Sequence, residues 1–292
     1  MPRKAGLAGT TLPRRRLGRA LRDARQALGL TLDQVVAAVG GKAFSRATLS
    51  RIENGQSENV SEMEVEYLCK QYLLNEGKTE YLKTLVAMTD VKVWFEDSKH
   101  LIAPGFGTYL ELEAFASEFW FYQPILVPGL LQTADYARTL ETRNPAYAAS
   151  TVETRVQLRM RRSEILTRDK NPAAAEFIIH ENVLYSGVGS NHAMREQLGH
   201  IIRMGRRRNI SIRVLPFSNS APTGSVIPPH IILDFPDDEP SVVYTEAAIG
   251  STTFEDQDRV ERFRALNDIL REASLDESVS RDRIKLIARR YQ

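Results

Sequence analysis

The side chains with the clearest chemistry are two arginines five residues apart, Arg46 and Arg51, in the short segment 46–53. A guanidinium group presents paired, planar donors that match the edge of a guanine base or the oxygens of a phosphate. If the segment is a helix with Leu49 and Ile52 turned inward, its other side chains face outward. That outward face holds Arg46, Ala47, Ser50 and Arg51. Such a face is suited to reading base edges in the major groove of DNA.

Helical patterns on both sides of this segment predict the scaffold that positions it. Leu17, Leu21, Ala24 and Leu28 recur at helical spacing, and Gly29 ends the run. Thr31 is the expected N-cap of a second helix, and Ser45 of the third, short helix. Two more helical patterns, at about 61–74 and 78–89, complete a mainly α helix-turn-helix bundle over residues 14–90.

The net charge of the chain, +2, is unevenly distributed. Residues 1–58 contain eleven Lys or Arg against four acids, so the remainder of the chain carries −5. Residues 1–13, rich in Gly, Pro and Thr, are predicted to be a disordered basic arm that leads into Arg14–Arg16. This asymmetry favours contact between the N-terminal region and a polyanion, although a solvated tail would give the same charge count.

The segment from Leu17 to Gly55, which ends Ser-Arg-Ala-Thr-Leu-Ser-Arg-Ile-Glu-Asn-Gly, resembles the repressor-type (Cro-like, xenobiotic-response) helix-turn-helix family. The resemblance implies double-stranded DNA as the partner and Arg46, Ala47 and Arg51 as base contacts, with Ser50 on the same face. Predicted phosphate contacts are Thr31, Lys42, Ser45, Thr48, Asn54 and Arg16. The resemblance also implies a structural ion pair between Arg25 and Glu53. The turn at residues 40–44 is longer than is usual in the family.

After a connection at 91–105, residues 106–292 are predicted to form an α+β regulatory or dimerisation domain. The expected elements are a helix around 107–121, later helices, and a small sheet of about four strands. The four β-like runs lie at 175–180, 210–215, 230–235 and 241–246.

A second resemblance covers this C-terminal region. The segments Tyr109-Leu-Glu-Leu-Glu113, Val127-Pro-Gly-Leu-Leu-Gln-Thr133 and Val214-Leu-Pro-Phe217 are similar to the C-terminal domain of WhiJ-like regulators of actinobacteria. This resemblance implies a role in transcription regulation and assigns no catalytic residue. It also suggests a small protein partner.

An aromatic group is the candidate effector or partner surface of this region: Trp94, Phe115, Phe119, Trp120 and Tyr122. Aromatic side chains at this density are suited to a ligand pocket or a dimer face. The same side chains would equally serve as the core of the domain.

No pattern of catalytic or metal-binding residues is found, and neither a cofactor nor a metal is expected. His180 beside Glu181 is the one acid-base pair, and a hydrogen-bonded strand end is its simpler interpretation. Cys69 is the only cysteine, which suits a reducing compartment. The sequence contains no membrane-length apolar run, so a cytoplasmic location without membrane association is expected.

The sequence therefore predicts a non-enzymatic transcriptional regulator that binds a pseudo-palindromic operator as a homodimer and senses an effector or partner through its C-terminal domain. The alternative is an antitoxin-like protein that sequesters a small protein and regulates its own gene. A stoichiometric small partner on purification would favour the alternative.

Overall fold

The computed structural model describes residues 12–38, 44–57, 60–89, 96–102, 106–169, 171–219, 226–236, 239–246 and 250–292. Their contacts separate them into two compact units. The first unit takes in the described residues up to 97 together with 106–112. The second unit takes in 98–102 and the described residues from 113 onward.

The N-terminal part of the first unit is helical. Its helices are α1 (Leu12–Ala27), α2 (Leu32–Ala38), α3 (Arg46–Glu53), α4 (Glu62–Gln71) and α5 (Glu76–Thr89). Helix α1 begins at Leu12, earlier than the apolar pattern from Leu17 predicts, so the last two residues of the predicted arm and Arg14–Arg16 are helical. Pro13 is tolerated there because the first turn of a helix leaves its N–H groups without helical partners. The remainder of the predicted arm, residues 1–11, lies outside the described residues.

One apolar core holds these five helices together. The buried side chains are Leu17, Leu21, Val35, Phe44, Leu49, Ile52, Val65, Leu68, Cys69, Tyr72, Leu82, Leu85 and Val86. Helices α1 and α3 approach closely at Gly18, where a β-carbon would lie only 2.5 Å from the Ile52 carbonyl oxygen. A backbone atom at that distance cannot give way easily, so glycine is required for this helix contact.

A helix, α6 (Phe106–Phe115), precedes the sheet of the second unit. The strands are β1 (Glu118–Gln123), β2 (Ala174–His180), β3 (Ile210–Leu215), β4 (His230–Asp234), β5 (Val242–Glu246) and β6 (Ser251–Phe254). The helices among them are α7 (Ala134–Arg143), α8 (Val152–Ser163), α9 (Glu181–Tyr185), α10 (Asn191–Met204), α11 (Gln257–Ala273) and α12 (Glu277–Ala288).

The strands form one mixed sheet in the order β3-β2-β1-β4-β5-β6. Strands β1, β2 and β3 are parallel, whereas β4, β5 and β6 continue the sheet in antiparallel fashion from β1. Helices α7 and α8 connect β1 to β2, and α9 and α10 connect β2 to β3, because parallel neighbours need crossover connections.

Six strands, not about four, build this sheet, and β1 and β6 are the two that the sequence patterns missed. The predicted helix at 107–121 is wrong beyond residue 115. The aromatic run 119–122 has high β-propensity, and it forms the strand between β2 and β4. Strand β6 has four residues, which is too short for a reliable alternation of apolar and polar side chains.

Both faces of the sheet are covered. On one face the Phe121 ring stacks on Phe177 with 4.7 Å between centroids. On the other, Tyr122 and Ile178 pack in a cluster with Leu270 of α11. The sheet is therefore a buried layer.

Candidate nucleic-acid interface

Helix α3 buries one side and exposes the other. Leu49 and Ile52 are buried at 0% and 2% exposure, while Arg46, Ala47 and Arg51 are exposed and Ser50 is half-buried. The eight residues of the helix are held from the inside by the core, so the outward face is rigid. The four residues predicted as base contacts thus share one accessible face on a short helix.

The start of α3 is fixed by its cap. Ser45 Oγ accepts the Thr48 N–H at 3.1 Å, which confirms Ser45 as the predicted N-cap. The Ser45 and Thr48 hydroxyls are also 2.8 Å apart. Both side chains lie at the exposed N-terminal end of the helix, where free N–H groups favour an anion.

Helix α2 begins with a similar cap. Thr31 Oγ1 accepts the Gln34 N–H at 3.2 Å, and the Thr31 N–H donates to Gln34 Oε1 at 2.8 Å. Thr31 is confirmed as the predicted N-cap, and its exposed hydroxyl retains a proton to donate. Arg16, also predicted to contact phosphate, is partly buried on α1. Lys42 and most of the long turn before α3 lie outside the described residues.

Arg25 and Glu53 form a buried bidentate ion pair between α1 and α3. Arg25 Nε donates to Glu53 Oε1 at 2.7 Å and Nη2 to Oε2 at 2.8 Å, while Nη1 donates to the Leu30 carbonyl at 2.6 Å. The hydrogen bond with Glu53 raises the pKa of Arg25. Burial, aided by the Glu53 charge, raises the pKa of the adjacent Tyr72 phenol. This pair therefore orients α3 relative to α1.

Arg22, which the sequence patterns did not single out, secures the C-terminal end of α3. Its Nη2 donates to the Glu53 carbonyl and, at 2.7 Å, to Asn54 Oδ1. Asn54 in turn donates to Ser50 Oγ at 3.3 Å. Arg22 lies one helical turn before Arg25 on α1, and this spacing was the sequence signal that could have identified it. Asn54, predicted as a phosphate contact, is exposed but already takes part in this local network.

The chain reverses direction after Asn54 at Gly55. Gly55 has φ of +67°, and a β-carbon there would lie 3.1 Å from the Arg14 backbone. The left-handed backbone and the close approach both require glycine, which explains the end of the Ile-Glu-Asn-Gly motif.

An exposed ion pair links α3 to α2. Arg46 Nε is 3.3 Å from Asp33 Oδ1, and the two side chains are 70% and 69% exposed. A pair this accessible is weak, so Arg46 can leave it for another acceptor at little cost.

The predicted aromatic surface of the C-terminal region is wrong in part. Phe119 and Tyr122 lie on opposite faces of β1 and are buried at 0% and 5% exposure, because both faces of the sheet are covered. Trp120 is half-buried and Phe115 is 38% exposed. Trp94 lies outside the described residues. The four described members of the group do not form one surface.

His180 and Glu181 are engaged separately at the end of β2. His180 Nδ1 accepts the Asn182 N–H at 3.1 Å as the N-cap of α9, and burial lowers the pKa of His180. Glu181 accepts from the Phe217 N–H at 2.9 Å and from Arg283 at 3.0 Å. Both side chains thus have structural partners at the strand end.

Among the described residues, no cluster of three or more His, Cys, Asp or Glu side chains could hold a metal ion. In the same ranges, every helix is too short or too polar to cross a membrane.

Two family models match the chain. Residues 16–82 match a helix-turn-helix domain, a span that begins within α1, ends within α5 and includes the exposed face of α3. Residues 106–286 match a domain of unknown function, DUF5753. Comparison with curated proteins gives no match. Since the second match covers more than half of the 292 residues, this chain belongs to the family of proteins that contain DUF5753, here with a helix-turn-helix domain of DNA-binding regulators before it.

Proposed function

We propose that this protein is a sequence-specific transcriptional regulator of the repressor-like, WhiJ-related kind, which binds a pseudo-palindromic DNA operator as a homodimer. The observation that carries the proposal is the exposed face of α3. Arg46 and Arg51 project outward from a helix whose Leu49 and Ile52 anchor it in the core. An eight-residue helix held in this way fits the major groove, where each base pair presents a distinct set of donors and acceptors.

The proposal divides the contacts by their chemistry. Arg46, Ala47, Ser50 and Arg51 read base edges. Side chains around them, namely Thr31, Lys42, Ser45, Thr48, Asn54 and Arg16, contact phosphates and set the register. The Arg25–Glu53 pair contributes through the orientation of α3. Because α3 reads few base pairs, two copies of the chain are needed for a specific site.

The second unit serves regulation in this proposal and has no catalytic role. It supplies dimerisation and responds to an effector or a protein partner. The resemblance of this region to WhiJ-like regulators supports this division of roles, and the DUF5753 match sets the region apart from the helix-turn-helix domain.

Selection of genomic fragments bound by the full-length protein, followed by footprinting, tests the proposal. The expected site has two related half-sites about 34 Å apart, one turn of DNA. Arg46→Ala and Arg51→Ala are each expected to relax base preference at one position by about 1–3 kcal/mol. Lys42→Ala is expected to weaken binding to all sequences alike and to lower the salt slope by about 1.

Lys70→Ala is the matched control, because Lys70 is an exposed cation on α4, a helix that supplies none of the proposed contacts. This variant is expected to keep both the wild-type base preference and the salt slope. Retention of wild-type base preference by both arginine variants would refute the assignment of α3 as the recognition helix. A single half-site bound by one copy would refute the dimer.

A further inference from the structure

A polar cleft lies at the amino ends of the three parallel strands of the second unit. It has a volume of about 570 Å³. Glu118, Trp120 and Glu176 of β1 and β2 line one side, and residues 205–211 line the other together with Glu277 and Arg281 of α12. Glu277 accepts a hydrogen bond from Ser211 Oγ at 2.8 Å. This volume is in the range of pockets that hold small molecules.

The turn between α10 and β3 places a positive charge cluster on this cleft. Arg206–Arg208 are exposed, and Arg281 beside them is half-buried. Within the described part of the chain none of these four guanidinium groups forms an ion pair, and Arg281 only reaches the Gly205 carbonyl at 3.5 Å. By contrast, Arg271 at the same cleft is bound to Glu176 at 2.9 Å. Four adjacent cations without carboxylate partners are suited to a multiply charged anion.

The inner side of the cleft offers a different chemistry. The Trp120 ring is covered by Arg271 at 4.6 Å on one face, and its indole N–H donates to Asp234 at 3.1 Å. Glu118 is half-buried beside it and, among the described residues, receives no hydrogen bond. Burial and then the charges of Asp234 and Glu176 raise the pKa of Glu118. A ligand that brings a hydroxyl or amino donor to Glu118 would satisfy this carboxylate.

We propose that this cleft binds a small phosphorylated metabolite of about nucleotide size. The phosphate is held by Arg206–Arg208 and Arg281, and a hydroxyl or amino group of the same molecule donates to Glu118. A phosphate monoester carries more charge and more acceptor oxygens than a carboxylate, so it can engage several guanidinium groups at once. A DNA backbone fits less well, because its phosphodiester groups bring no hydroxyl or amino donor to the Glu118 carboxylate.

Binding at the cleft does not depend on the proposed DNA function, although an effect of the ligand on operator binding would rest on it. Calorimetric titration of the full-length protein without DNA tests the cleft alone. The probes are the four nucleoside monophosphates, ribose 5-phosphate, inorganic phosphate and the four unphosphorylated nucleosides. At least one organic phosphate is expected to bind saturably, and no nucleoside is expected to bind.

The double variant with Arg207→Ala and Arg208→Ala is expected to weaken that binding at least about tenfold, since each charge-assisted hydrogen bond lost has an effect of this size. The matched control combines Arg262→Ala with Arg289→Ala, two exposed arginines outside the cleft. It removes the same charge and is expected to keep wild-type affinity.

Glu118→Gln separates the two halves of the site. This variant is expected to lower the affinity for the organic phosphate severalfold and to leave the affinity for inorganic phosphate unchanged or higher. The proposal is overturned if no organic phosphate binds, or if the cleft and control variants lose affinity equally. It is also overturned if the Arg207 and Arg208 variant lowers the salt slope of DNA binding, which would assign this turn to DNA. None of these results alters the test of α3, so the two proposals fail separately.

Discussion

Removal of one partner from the Arg25–Glu53 pair is expected to destabilise the helix-turn-helix more than any surface change. Glu53 is 3% exposed and Arg25 9% exposed. In Glu53→Ala, Arg25 loses its bonds of 2.7 and 2.8 Å and keeps only the 2.6 Å bond to the Leu30 carbonyl. A buried charge left in this way costs about 3–5 kcal/mol. Since the free energy of unfolding of a small domain is about 5–15 kcal/mol, the helix-turn-helix would lose much of its stability.

Urea denaturation of the full-length protein, combined with hydrogen exchange of the amides in 44–57, measures this loss locally. The combined variant Arg25→Met with Glu53→Leu removes both charges and keeps apolar volume. Its loss of unfolding free energy is therefore expected to be far smaller than the sum of the losses in the single variants Arg25→Met and Glu53→Leu. A loss below about 1 kcal/mol in Glu53→Ala would refute the reasoning. Additive losses in the combined variant would refute it as well.

Three further outcomes are expected. Gly18→Ala should destabilise the first unit by more than about 1 kcal/mol in urea denaturation, because the new β-carbon meets the Ile52 carbonyl oxygen at 2.5 Å. Gln197→Ala should lower the free energy of unfolding by about 2–3 kcal/mol and speed hydrogen exchange in 127–133. The buried Gln197 amide accepts the Thr133 N–H at 2.7 Å and donates to the Leu131 carbonyl at 2.6 Å, and the variant loses both hydrogen bonds. Burial lowers the pKa of His230, so the unfolded chain binds the proton more readily, and thermal stability should fall as pH drops below about 6.5.

The glycine and histidine expectations have control variants, and the Gln197 expectation has a result that would contradict it. Gly77→Ala is expected to be harmless, since its β-carbon would meet only the Asn75 side chain at 3.7 Å. An equal loss in both glycine variants would contradict the close-approach argument. His230→Gln should flatten part of the pH dependence, and an unchanged slope would show that other groups produce it. Unchanged exchange in 127–133 would contradict the role of Gln197.

The helix-turn-helix could be predicted closely because its signals are local. Ser45 and Thr31 cap the helices that they were predicted to cap, and a cap depends on hydrogen bonds within three residues. The inward side of α3 followed from the helical spacing of Leu49 and Ile52. Gly55, which closes the motif after α3, has a left-handed backbone conformation that few other residues adopt.

Tertiary structure alone decided which distant groups meet. The aromatic run of β1 suits a helix or a strand until β2 and β4 pair with it, and this pairing buries Phe119 and Tyr122. Whether an arginine is paired or available depends on which carboxylate the fold brings near it, as with Arg271 and the cluster Arg206–Arg208. Spacing along the chain determines caps and helix faces, whereas contacts between residues a hundred positions apart are determined only by packing.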